Sequence, residues 1–99
     1  MWNGTNWNSL QNGINGFVVS LAFHSNSNRL YVGGSFSQAG STPNTSHIAM
    51  WDGTNWNALQ NGINGFVNAL AFDSNSNRVY VGGQFSQAGS TPNTNNIAM

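Results

Sequence analysis

Apolar residues recur in short runs separated by stretches of Asn, Ser, Thr and Gly, and every run occurs twice. Residues 30–36 read LYVGGSF and residues 79–85 read VYVGGQF, while residues 17–24 read FVVSLAFH and residues 66–73 read FVNALAFD. Runs of this length, rich in Val, Phe and Tyr, predict strands. Alternation in the second copy places Phe66, Leu70 and Phe72 on one face and Val67, Ala69 and Ala71 on the other. A bulky face backed by a small one is the pattern of a strand covered on both sides, where the bulky face of one sheet fills the small face of the next. In the following strand Val79, Val81 and Phe85 share a face. Gly82-Gly83, like Gly33-Gly34 ahead of Phe36, predicts a bulge or a close approach of neighbouring backbone.

The polar stretches predict the connections. Trp2-Asn3-Gly4-Thr5-Asn6-Trp7 and Trp51-Asp52-Gly53-Thr54-Asn55-Trp56 carry Asn-Gly and Asp-Gly, strong hairpin signals. A hairpin of either two or four loop residues sets Trp2 opposite Trp7 and Trp51 opposite Trp56, followed by short strands ending near Leu10 and Leu59. Residues 11–16 and 60–65, with two Asn-Gly pairs around one Ile, read as loops. Ser-Asn-Ser-Asn at 25–28 and 74–77 predicts four-residue turns. The second of these sets Asp73 opposite Arg78 as an ion pair worth roughly a few tenths of a kcal/mol if exposed; the first sets His24 opposite Arg29. Longer loops at 37–47 and 86–96 lead into Ile48-Ala49-Met50-Trp51-Asp52, a strand that crosses the boundary between the copies.

Residues 2–50 and 51–99 are one 49-residue unit repeated, with differences at nine positions. The chain therefore divides into repeat 1 (residues 1–50) and repeat 2 (residues 51–99). Each unit counts four strands, and four-stranded antiparallel meanders of this length stacked radially make a β-propeller. Ile97-Ala98-Met99 begins the strand that Trp51-Asp52 continues in the first copy, so the N-terminal hairpin is expected to complete the sheet of a neighbouring chain.

The blade pattern is carried by Trp51-Asp52-Gly53 with Trp56 and Leu59, Gly62 and Asn64, Ala69-Leu70-Ala71, Val79-Tyr80-Val81-Gly82-Gly83 with Phe85, Ala88-Gly89 and Ile97-Ala98, and repeat 1 carries it equally, with Trp2, Trp7, Gly33, Gly34 and Phe36 in the matching places. In these residues the chain resembles the kelch-like propeller repeats of the galactose-oxidase central-domain type. It lacks the Gly-His and Trp-Asp placement of a WD-repeat blade. The resemblance implies an all-β fold of four-stranded antiparallel blades, two per chain. Propellers have about four to eight blades, so ring closure is expected by homo-oligomerisation, with six blades as a trimer favoured and eight as a tetramer next.

Charge changes the picture by what it removes. The charged side chains are Arg29, Arg78, Asp52 and Asp73, for a formal net charge of zero, which leaves no electrostatic footprint for nucleic acid or an anionic membrane surface. There is no Cys, Glu or Lys, and no nucleophile, base and orienting group can be assembled, so no catalytic residue is assigned and the chain is read as no enzyme. Asp73-Ser74-Asn75-Ser76-Asn77 starts like a calcium loop, but Arg78 stands where Gly is needed and Gln84 where the closing carboxylate belongs. It is read as a turn. His24 and His47 are unclustered, and their counterparts are Asp73 and Asn96, so they are read as surface residues and no metal or cofactor is assigned. Asn3-Gly4-Thr5 and Asn44-Thr45-Ser46 fit the glycosylation sequon, a chance match in so Asn-rich a chain. The four Trp are read as blade core. Together these readings describe a non-enzymatic, self-assembling propeller scaffold whose partner is itself; the alternative is a multivalent, lectin-like ring with a glycan as partner. No compartment is indicated.

Overall fold

The computed structural model describes residues 3–11, 13–25, 27–59, 62–73, 75–90, 94 and 96–99. Trp2 and parts of the predicted turns and loops (12, 26, 60–61, 74, 91–93 and 95) lie outside them. Among the described residues seven strands form: β1 (Val18–His24), β2 (Arg29–Gly34), β3 (Ile48–Trp51), β4 (Trp56–Asn57), β5 (Phe66–Asp73), β6 (Arg78–Gln84) and β7 (Ile97–Ala98). β1–β4 make a four-stranded sheet and β5–β7 a three-stranded one, each paired in sequence order and antiparallel throughout. β3 crosses the repeat boundary as its sequence predicts. The short strand after the hairpin stops at Asn57, before Leu59.

Trp51 stands opposite Trp56, with ring centroids 5.1 Å apart, so the loop between them has four residues. Asp52 organises it: its amide donates to the Asn55 carbonyl at 3.2 Å, and its Oδ1 accepts from the Thr54 and Asn55 amides at 2.8 and 2.7 Å. Gly53 supplies the left-handed backbone, φ 101°, that the turn requires. Asn3 accepts the same two amide bonds in repeat 1.

Those amides, with Asn57, hold the Asp52 carboxyl below its usual 3.8. A depressed folded-state pKa stabilises above the unfolded value and is lost as pH falls through the folded one. Melting temperature measured downward from pH 5 should therefore drop more steeply for the wild type than for Asp52→Asn, which keeps the neutral acceptor that Asn3 already provides. Equal slopes would show that this carboxylate does not stabilise the turn.

The regular alternation expected of β5 does not hold: Val67 pairs with Gly83 and Ala69 with Gly82, leaving Asn68 as an extra residue in a bulge. The bulge reverses the faces upstream of it. Val67, rather than Phe66, joins Leu70 and Phe72 over Val79 and Val81, and Phe66 turns to the side of Ala69 and Ala71. β1 carries the same bulge at Val19. The paired glycines explain it, because a Cβ on Gly34 would lie 2.1 Å from the Phe17 carbonyl oxygen and one on Gly83 2.2 Å from that of Phe66.

The packed faces form two core clusters. Val32, Phe36, Ala39, Ala49 and Trp56 are buried in the first sheet; Ile48, Ile63, Val67, Val81 and Phe85 are buried in the second, so Ile48 of β3 belongs to the neighbouring sheet's core. Asn15 fastens the loops to the cores by accepting from the Ser37 and Gln38 amides, both at 3.0 Å, and Asn64 does so for Ser86 and Gln87. Buried Thr45 donates to the Thr42 carbonyl and accepts from the Ala39 amide.

Two polar expectations are corrected. Asp73 does stand opposite Arg78, but its carboxylate is turned into the loop, accepting from the Asn75 amide at 3.0 Å and the Ser76 hydroxyl at 2.9 Å. His24 is not a surface residue: it is buried, because the second sheet packs over it.

Candidate functional site

The two sheets meet face to face, and this junction defines every surface of interest. β5 presents Val67, Leu70 and Phe72; β1 and β2 present Ser20, His24, Tyr31 and Gly33. At Gly33 the sheets approach closely, since a Cβ there would lie 2.4 Å from Val67 Cγ1. The Leu70 amide, on the edge strand of the second sheet, donates to Ser20 Oγ at 3.0 Å. Phe72 stacks on Tyr31 with centroids 5.6 Å apart and lies 4.1 Å from the His24 ring. His24 Nδ1 is bonded to Ser27 Oγ, while its Nε2 is buried without a hydrogen-bond partner. At the end of the junction His47 Nδ1 donates to the Ile63 carbonyl at 2.7 Å and its ring meets the edge of Phe66.

Because the halves are repeats, each residue of this junction has a twin 49 positions away, and the twins lie on the two outward surfaces. Val67 is fully buried but its twin Val18 is 45% exposed; Ile48 is 1% exposed but Ile97 is 67%. Leu21 and Phe23, twins of Leu70 and Phe72, are also exposed, and they line an open groove with Leu30, Val32 and Trp51. On the opposite side of the molecule Tyr80, Ile97 and Met99 stand exposed. Identical sequence thus takes opposite burial according to whether a sheet lies next to it.

A third surface is the second sheet's edge. In the first sheet Trp56 is 4% exposed, packed in a core with Leu10, Ile14, Ala39 and Ala49; its Nε1 donates to the Leu10 carbonyl at 3.1 Å, and it passes so close to Gly40 that a Cβ there would lie 2.9 Å from the indole. The corresponding residues of the second sheet, Leu59, Ile63, Ala88, Gly89 and Ala98, line a cavity of about 420 Å³ beside β7. The twin of Trp56 is Trp7, which is 79% exposed. A cavity of that size takes an indole.

The residues that the sequence marks thus divide. Trp51 and Trp56 pair, Phe36 and Phe85 are core, Gly33, Gly34 and Gly83 are contact points, Gly82 is open, Trp7 is exposed and Trp2 lies outside the described residues. Val18, Leu21, Phe23 and Ile97 carry no mark of their own in the sequence; their alternation is visible, but nothing in a repeated sequence says which copy of a residue is covered. No three His, Cys, Asp or Glu side chains converge as a metal site among the described residues.

Two antiparallel sheets, each paired in sequence order and packed face to face, are compatible with the β-propeller class, and the family match decides for it. Residues 2–72 match the family model of the Rax2 C-terminal beta propeller domain, and the chain belongs to that family. The match spans repeat 1 and the strands through most of β5. No curated protein and no solved structure matches the chain.

Proposed function

We propose that the chain is a non-enzymatic propeller scaffold in which each sheet is one kelch-like blade, two per chain, and that further copies complete the ring. Three chains would give six blades, with four chains and eight blades the next choice. The observation that supports this best is the twinning: the outward faces are the two halves of the buried junction, and the cavity beside β7 repeats the site that Trp56 fills. A second copy docking its Val18 face on the first copy's Ile97 face continues the existing junction, and its Trp7 hairpin adds a strand to β7. Such contacts are head-to-tail and close into a ring when the rotation permits.

Gly82 provides a test that spares the chain's own fold. A Cβ there meets nothing nearer than Asn96 O at 4.0 Å, but its twin Gly33 lies against Val67, and the proposed docking brings a neighbour's Val18 to the matching place. The wild type is expected at three or four times its 10.6 kDa mass in light scattering. Gly82→Val is expected at one chain mass with unchanged circular dichroism. A monomeric wild type, or a Gly82→Val ring of unaltered mass, would overturn the reading.

The lectin-like alternative is favoured by one feature: the Trp7 indole is exposed beside Asn6 and Asn8, an apolar platform flanked by amides. The scaffold reading places that indole in the cavity of the next chain. Glycan screening at millimolar concentration separates the two, since the scaffold reading expects no binding that Trp7→Phe abolishes.

A further inference from the structure

Resting on that assembly reading, we infer that the ring contains two unlike kinds of junction, and that Ala69, Asp73 and Asn96 make the one between chains the weaker. The within-chain junction is held by three side chains of the first sheet. Ser20 accepts from the Leu70 amide, His24 lies against Phe72, and His47 bonds to the Ile63 carbonyl and meets Phe66. Shifted by one repeat, the same face of the second sheet carries Ala69, Asp73 and Asn96. These are three of the nine differences between the repeats, and each replaces a group that makes a defined contact.

Leu21 occupies the position of Leu70 after the Val19 bulge, so docking turns its amide toward position 69 of the next chain. Alanine has no acceptor there. A buried donor left unpaired carries its desolvation penalty, roughly tenfold or more in a dissociation constant. At position 73 docking sets Phe23 against a carboxylate in place of the imidazole ring that Phe72 meets. The carboxylate is bonded to Asn75 and Ser76 on its turn side, and an apolar ring offers nothing to its remaining lone pairs. At position 96 the shorter amide can reach toward the Ile14 carbonyl but brings no ring to lie against Phe17.

The functional result is an assembly that comes apart between chains and not within them. Paired sheets remain together as the exchangeable unit, while ring formation depends on concentration.

The triple variant Ala69→Ser/Asp73→His/Asn96→His gives the second sheet the contacts of the first. Repeat 1 already carries these three residues at the matching positions, His47 at the same positive φ as Asn96, and circular dichroism and melting of the dissociated variant check that the Asp73 turn bonds are not needed for the fold. Dissociation constants from sedimentation equilibrium over a dilution series should fall by more than about tenfold relative to wild type, with Ala69→Ser alone giving roughly tenfold. The reverse set, Ser20→Ala/His24→Asp/His47→Asn, should lower the melting temperature of the dissociated chain. An unchanged or weaker dissociation constant in the triple variant overturns the inference while leaving assembly intact. Wild type and triple variant both remaining at one chain mass would remove the assembly reading and this inference with it.

Discussion

Trp56→Ala is expected to destabilise the folded chain by about 3–5 kcal/mol, the range for removing a buried large aromatic, whereas Trp7→Ala is expected to leave folding nearly unchanged and abolish assembly. Each follows an equivalent four-residue loop in its own copy of the repeat. Trp56 fills the core of the first sheet, donates its indole N–H to the Leu10 carbonyl and packs against Trp51. Its loss opens a cavity and removes one of two donors to that carbonyl, which the Gly13 amide also meets at 3.1 Å; the cavity alone costs a large fraction of the roughly 5–15 kcal/mol typical of a domain. Trp7 is exposed on the single chain, and the proposed ring would seat it in the cavity beside β7. Denaturant melts read the first effect and native mass the second. If Trp7→Ala assembles like wild type, the sheet edge is not completed by this hairpin.

Adjacent glycines are expected to differ as sharply. Gly34→Ala and Gly83→Ala place a methyl group 2.1 and 2.2 Å, respectively, from a backbone carbonyl oxygen on the partner strand, within the bulge where that strand bends inward. Backbone cannot move aside as a flexible side chain can. Overpacking of this kind costs about 1–3 kcal/mol and sometimes more, and here it should reach at least the upper end and loosen the β1–β2 or β5–β6 pairing. Gly82→Ala, one residue earlier, should change stability by no more than about 0.5 kcal/mol, since the space around it is open. Thermal melts of the three single variants check this. Equal losses at 82 and 83 would mean that the glycines act through backbone entropy and not through contact.

Much of the local structure is legible in the order of residues. The turn residues separate the strands, the boundary-crossing Ile48-to-Trp51 strand follows from its continuous apolar run, and the Trp51–Trp56 pairing follows from the hairpin signal. The bulges are not legible in detail. Gly82-Gly83 announces a bulge or a close approach and both occur, but a two-residue alternation contains nothing that places the extra residue on the opposite strand at Asn68. That single residue exchanges Phe66 for Val67 on the packed face.

The histidines show a second limit. His24 reads as surface because its twin is an aspartate and it has no polar cluster around it, and it is buried because another sheet lies over that face in repeat 1 alone. The sequence by itself determined the strands, the turns and the repeat, because these depend on neighbours within a few residues: side-chain alternation, positive-φ positions and amide-rich loops. Only the tertiary structure decided which copy of each residue is core and which is surface. Val18 and Val67, Ile97 and Ile48, Trp7 and Trp56 are chemically the same, and burial is a property of the sheet stacked against a residue, set by contacts that its own sequence does not contain.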